Sequence, residues 1–250
     1  MELMMRIFVT GATGFVGSAV VRELIAHGHL VLGLTRSKKG AEALKAMGAE
    51  PHAGDLEALQ TLVEGVKEAD AVIHTGFVHD FSQFDRSCEI DRQAIDAMGQ
   101  AMEGEAKPFI VTSGVAAIDA AGPQALEIDA ARPASPTYPR LSETAARTLT
   151  ARGIPVSLMR LPPSVHGRGD HGFVPILIDL ARRTGRSAFV GEGSNLWPAV
   201  HVGDAARAYR LAIEKGAGAG VMAADTLAGM GGERTVRFLS PLPFFTGEGW

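Results

Sequence analysis

A chain of 250 residues with 46 % hydrophobic content is long enough to bury one large domain, or a large domain with a small lobe. Its net charge of −4 and pI of about 6.1 supply no basic surface for a nucleic-acid backbone, which leaves small solutes as the expected partners. The single cysteine excludes an internal disulfide framework, and no charged-then-apolar leader or apolar run of about 18 residues marks export or a membrane span, so a cytoplasmic protein without a membrane partner is expected.

In chain order, the apolar run Ile7 to Thr10 predicts a strand, followed by the Gly-rich turn GATGFVG (11–17) and helical spacing from Ser18 to His27. Leu30 to Leu34 predicts a second strand, Ala41 to Met47 a helix, Ala49 to His52 a short strand and Leu56 to Val66 a helix. Val72 to Thr75 predicts the next strand, and Gln83 to Met102 a long helix. That helix carries Cys88, which has no matched His nearby and reads as an ordinary helix residue rather than a nucleophile. Phe109 to Thr112 and Val156 to Leu161 predict strands on either side of a helix from Arg140 to Ala151. Strand-length runs apolar on both faces, alternating with amphipathic helices, define a doubly wound α/β fold with a parallel sheet, the Rossmann architecture.

After about residue 162 the rhythm changes to Pro/Gly-punctuated loops with helices around Phe173 to Arg183 and Asp204 to Lys215. The expected division is a dinucleotide-binding domain over 1–161, a small and incomplete substrate lobe over 162–228 with part of the first domain interleaved, and an atypical tail over 229–250. In that tail Phe238, Phe244 and Phe245 stand among Gly and Pro without periodicity. No internal repeat is visible.

A strand, a Gly-rich turn and a helix start form an anion site, because unpaired backbone N–H groups at the helix N-terminus point into the turn. Gly11 suits the tight turn, Gly14 the approach of a pyrophosphate, and Gly17 the packing of helix on strand. The end of the second strand bears on which dinucleotide is taken. An NAD site wants an acidic side chain for the ribose 2′-OH, whereas the sequence supplies Thr35-Arg36-Ser37-Lys38. Arg36 can clasp a 2′-phosphate with Ser37 and Lys38 adding donors, so NADP is expected in preference to NAD.

With these residues the sequence resembles the short-chain dehydrogenase/reductase superfamily, in the extended or atypical branch of nucleotide-sugar epimerases and dihydroflavonol-reductase-like proteins. Besides GATGFVG the match includes Asp55-Leu56, VIHTGF (72–77), VTSGVA (111–116), SVHG (164–167) and AVHVGDAARAYRLAIE (199–214). The resemblance implies cofactor contacts from Gly11, Thr13, Gly14, Phe15, Val16, Gly17, Thr35, Arg36, Ser37, Asp55, Leu56, Thr75, Gly76, Phe77 and Ser113. It implies that Ser113 is the active-site serine. It also implies a small-molecule substrate and leaves a homodimer open, since relatives often pair through the third and fourth helices.

The family's catalytic Tyr-x-x-x-Lys departs here. If Ser142-Glu143 occupies the Ser-Lys position, Pro139 stands in place of the Tyr and Glu143 in place of the Lys, with Tyr138 one residue early. A carboxylate there would raise a neighbouring phenol's pKa rather than lower it. Three readings compete for Glu143: a surface helix residue paired with Arg140, an acceptor for the nicotinamide ribose, or an acid/base in altered chemistry. Ser113 is equally open between a hydroxyl satisfied by backbone and one that bonds substrate. Ser113, Tyr138 and Glu143 are the catalytic candidates. His166, His171 and His201 fall in loops expected to ring the cleft and could donate a proton, but they lack the spacing of a metal site, so none is expected. Trp197 and Phe173 offer apolar walls. The expectation is an NADP(H)-dependent oxidoreductase or epimerase/dehydratase-like enzyme for a small carbonyl or hydroxyl compound. The alternative is an NADP(H)-binding redox sensor of the NmrA-like kind with little or no catalysis.

Overall fold

In the computed structural model, residues 4–115, 118, 129–189, 191–193, 197–215 and 221–223 are described. The atypical tail expected over 229–250, with Phe238, Phe244 and Phe245, lies outside the described residues. Seven strands form one all-parallel sheet in the order β3-β2-β1-β4-β5-β6-β9. They are β1 (Arg6–Thr10), β2 (Leu30–Thr35), β3 (Glu50–Ala53), β4 (Ala71–His74), β5 (Phe109–Gly114), β6 (Val156–Leu161) and β9 (Val221–Ala223). A separate parallel pair is made by β7 (Ser164–His166) and β8 (Ala199–His201).

The apolar runs form strands because each residue on them finds a helical layer to pack against. Along β1, Ile7 and Val9 face one layer and Phe8 the other, and all three are fully buried. On the first face lie α1 (Phe15–Ala26) and α7 (Val202–Glu214), which supply Val20, Leu24, Tyr209 and Ile213 to a core shared with Ile73 and Ile110. On the second lie α3 (Leu59–Lys67), α4 (Phe84–Gln100) and α5 (Ser142–Ala151), which supply Leu62, Ile95, Met98 and Leu149 around Phe8, Phe109 and Val111. The helix α2 (Lys38–Ala46) adds Leu44 beside β2. α7 is pinned to α1 by Arg210, which bonds Glu23 at 2.8 Å and Glu214 at 2.7 Å.

Several boundaries differ from those expected. α1 starts at Phe15 rather than Ser18, because Gly14 already serves as its N-cap. α5 starts at Ser142 rather than Arg140, since Pro139 biases the segment before it away from helix. The three-residue strands β7, β8 and β9 were not expected. α6 (Phe173–Thr184) carries Val174, Ile176, Leu177 and Ile178 exposed. Among the described residues no helix is long and apolar enough to cross a membrane.

β1 is flanked by β2 on one side and β4 on the other, so the winding reverses between β1 and β4. A crevice opens there at the carboxyl ends of the strands, which is where ligands enter open α/β sheets.

Candidate active site

The turn after β1 is shaped by two glycines. Gly11 has a φ of +65°, and a Cβ on it would lie 2.7 Å from the backbone nitrogen of Gly76. A Cβ on Gly17 would lie 2.1 Å from the Gly11 carbonyl oxygen, so the first turn of α1 packs directly on the loop. The N-cap Gly14 has no side chain to offer. The N–H groups of Phe15, Val16 and Gly17 find no acceptor among the described residues. Thr13 and Gly14 are exposed at the mouth. Orphan donors at an open helix N-terminus fit a pyrophosphate.

At the end of β2, Thr35 is buried, and the Ser37 hydroxyl oxygen accepts the Gly40 N–H at 3.0 Å as the cap of α2. The Ser37 oxygen is therefore engaged, although its proton remains free to be donated. Arg36 is exposed, and its Nη1 lies 3.5 Å from Asp55 Oδ2. Asp55 Oδ1 accepts the Glu57 N–H, and Leu56 lies against Gly76. The structure thus gathers Gly11, Leu56, Thr75 and Gly76 at one point and sets Arg36 beside Asp55.

Behind this rim runs a buried polar chain that sequence reasoning missed. Thr10 Oγ1 accepts the Gly76 N–H at 3.1 Å and lies 2.7 Å from His74 Nδ1. His74 Nε2 donates to Asp91 Oδ1 at 3.0 Å, and the Ser142 hydroxyl donates to Asp91 Oδ2 at 2.6 Å. The chain ties the cofactor-side loop to the first residue of α5 through α4. Its only advance signals were a His closing the apolar run VIH and an Asp on the inner face of the long helix.

Of the catalytic candidates, Ser113 is buried at the end of β5, and its hydroxyl bonds none of the described residues, so the backbone-satisfied reading does not hold. Tyr138 precedes α5 in extended chain, where it exchanges two backbone hydrogen bonds with Ser135. Because it is not helical, a rotation counted along a helix does not set its direction. Its ring lies beneath the Arg132 guanidinium, and its hydroxyl is buried without a partner among the described residues. Burial pushes the phenol up to about 12, with the Glu143 carboxylate adding to the rise against the opposing pull of Arg140.

Glu143 is neither on the surface nor paired with Arg140. It is buried, and Arg160 on β6 donates to both of its oxygens, from Nε at 2.9 Å and from Nη2 at 2.8 Å. Arg140 instead stacks over Phe77 at 4.8 Å and over Phe84 at 5.2 Å.

The remaining candidates separate. His171 meets Phe15 edge-on at 6.1 Å, while His166 and His201 meet each other across β7 and β8 at 5.6 Å. Phe173 packs on Trp197 at 5.2 Å. No cluster of three metal-ligating side chains occurs among the described residues. Cys88 is buried on α4, where loss of solvation pushes its thiol up to about 11.

A parallel sheet with a glycine-turned, donor-lined crevice at its winding reversal defines a nucleotide-binding α/β protein. The chain belongs to the NAD dependent epimerase/dehydratase family, whose model matches residues 7–223. It is 47 % identical over 211 residues to an uncharacterized protein of Schizosaccharomyces pombe, covering 84 % of this chain and 71 % of that one. It is 29 % identical over 224 residues to the 4-hydroxy-2-methyl-3-oxo-4-farnesyl-3,4-dihydroquinoline-1-oxide ketoreductase of Stigmatella aurantiaca, covering 86 % of this chain and 66 % of that enzyme. The fold is similar to that of the Thermotoga maritima UDP-glucose 4-epimerase with UDP-glucose, at a TM-score of 0.70 and 24 % identity over 88 % of this chain and 76 % of that one.

Proposed function

We propose that the chain is an NADP(H)-dependent oxidoreductase acting on a small carbonyl or hydroxyl compound. The observation that carries the cofactor choice is Arg36, exposed at the end of β2 in a Thr-Arg-Ser-Lys stretch that holds no carboxylate. There its guanidinium suits a 2′-phosphate. The N–H groups of residues 15–17 would hold the pyrophosphate, Asp55 and Leu56 would flank the adenine, and Thr75, Gly76 and Phe77 would line the path toward the nicotinamide. When bound, NADPH supplies a hydride to a carbonyl carbon. Ser113, whose hydroxyl bonds none of the described residues, and Tyr138, a phenol kept protonated by burial, are the hydroxyls proposed to bond the substrate oxygen. The ketoreductase named for the Stigmatella relative supports the reaction class.

One observation favours a second reading, an NADP(H)-binding regulator with little turnover. The position expected to hold the family's Lys is a Glu already engaged by Arg160, so no cation is offered to a ribose or a phenol there. Absorbance scans of NADPH oxidation against a carbonyl panel separate the two. Turnover supports the enzyme, and tight NADPH binding without turnover leaves the regulator. Within an active enzyme, Tyr138→Phe should cost on the order of 100-fold in rate if the phenol is the proton donor, and only a few-fold if it is displaced from that role.

A further inference from the structure

Arg140 is half-buried just before α5, with its guanidinium laid over both Phe77 and Phe84. Phe77 belongs to the loop after β4, and Phe84 opens α4, so this cation stands over the same crevice mouth as Gly76. Among the described residues Arg140 has no carboxylate within ion-pair distance, so its fork of N–H donors is held by the rings but not used by an anion of the fold. The two buried acids at this end of the fold are already committed, Asp91 to His74 and Ser142, and Glu143 to Arg160.

A second observation points the same way. The Tyr138 hydroxyl, two residues from Arg140, is a buried donor with no partner among the described residues, on a residue only 8 % exposed. Native proteins rarely leave such a group unmatched, and it costs stability unless something else accepts from it. His79, whose ring meets Phe77 edge-on, is held below its ordinary value by partial burial and then by the positive charge of Arg140, which sets that cation close to the loop after β4.

We infer that Arg140, stacked on Phe77 and Phe84, anchors a carboxylate on the substrate, which leaves the Tyr138 hydroxyl for the reacting oxygen. The two phenyl rings hold the planar fork in one orientation, so little freedom is lost when a carboxylate binds it. They also form an apolar wall for the part of the substrate that follows. The substrate class is therefore an acidic carbonyl compound with an apolar body. This rests on the oxidoreductase reading for its chemistry, although the anion site itself does not depend on the cofactor.

The test uses the full chain, with and without NADPH, titrated calorimetrically with phenylacetate and with phenylacetamide, which differ in charge but hardly in shape. Phenylacetate should bind about tenfold more tightly, in keeping with a charge-assisted pair. Arg140→Met, which keeps the length and the packing on the two rings, should erase that preference, and Arg140→Lys should retain part of it. The inference is overturned by equal affinities in the wild type, by no saturable phenylacetate binding up to about 10 mM, or by an Arg140→Met protein that keeps the preference. Should Arg140→Met fail to fold, the wild-type ratio and the Arg140→Lys ratio still decide the matter. A chain that prefers the carboxylate yet binds no NADPH refutes the proposed function and keeps this site, and the converse result refutes the site alone.

Discussion

Replacing Glu143 by Leu should be among the most damaging single changes outside the apolar core. Arg160 is fully buried and Glu143 is 5 % exposed. The guanidinium makes two parallel bonds to the carboxylate and one to the Asp129 carbonyl at 3.1 Å. Removing the carboxylate takes two charge-assisted bonds from a fully buried cation, a loss of about 3–5 kcal/mol. In a chain of this size that corresponds to roughly 10 °C in melting temperature. Replacing the pair together, Glu143→Leu with Arg160→Met, removes both charges, and apolar substitution of a buried pair is often close to neutral. The double variant should therefore recover to within about 1 kcal/mol of wild type, the shortfall being the bonds Arg160 makes beyond Glu143, that to the Asp129 carbonyl among them. Urea unfolding followed by far-UV circular dichroism measures all four corners of the cycle. Single-variant losses below about 1 kcal/mol, or a double variant as unstable as the sum of the singles, would refute a buried and mutually dependent pair.

Arg36→Asp should weaken NADPH by on the order of 2 kcal/mol while leaving NADH much less affected, because it removes an ionic hydrogen bond and sets a second carboxylate beside Asp55; equal losses for both cofactors would count against the assignment. Cys88, with a thiol near 11, should be about 0.1 % thiolate at pH 8 and inert to Ellman's reagent until the chain unfolds, and rapid labelling of the native protein would contradict its burial. Burial works against ionisation of Glu214, but hydrogen bonds from Arg210 and His29 outweigh it and hold the carboxyl below its usual 4.5. A depressed folded value contributes stability that is complete above the unfolded pKa and lost as pH falls through the folded one. Arg210→Met should accordingly cost stability at pH 7 and progressively less below about pH 4.5, as read from urea midpoints; a gap that stays constant with pH would argue against the coupling.

The sheet was legible because its strands are apolar on both faces and their spacing repeats, as in Ile7-Phe8-Val9 and Val72-Ile73. The turn after β1 was legible because glycines at fixed intervals have a steric reason, and at Gly11 and Gly17 a Cβ would meet backbone. The strands β7, β8 and β9 are three residues each, too short to set a period, and the first two are flanked by Pro or Gly. Of the three readings open for Glu143, the surface one fails because helical spacing suggests near neighbours, while its partner lies 17 positions away on another element. The signal available was Arg160 itself, a charge inside the otherwise apolar run Val156 to Leu161. A cation in a buried strand requires an anion, and Glu143 at the start of the preceding helix can supply it. The stacking of Arg140 on Phe77 and Phe84 had no sequence signal, since it joins three segments only through the fold.

The most direct test of the account is a fluorescence titration of the wild-type chain with NADPH and with NADH under one buffer. A guanidinium beside a 2′-phosphate, with no carboxylate at the end of β2, predicts that NADPH binds tighter by on the order of tenfold or more. NADH binding as tightly as NADPH, or more so, would contradict it.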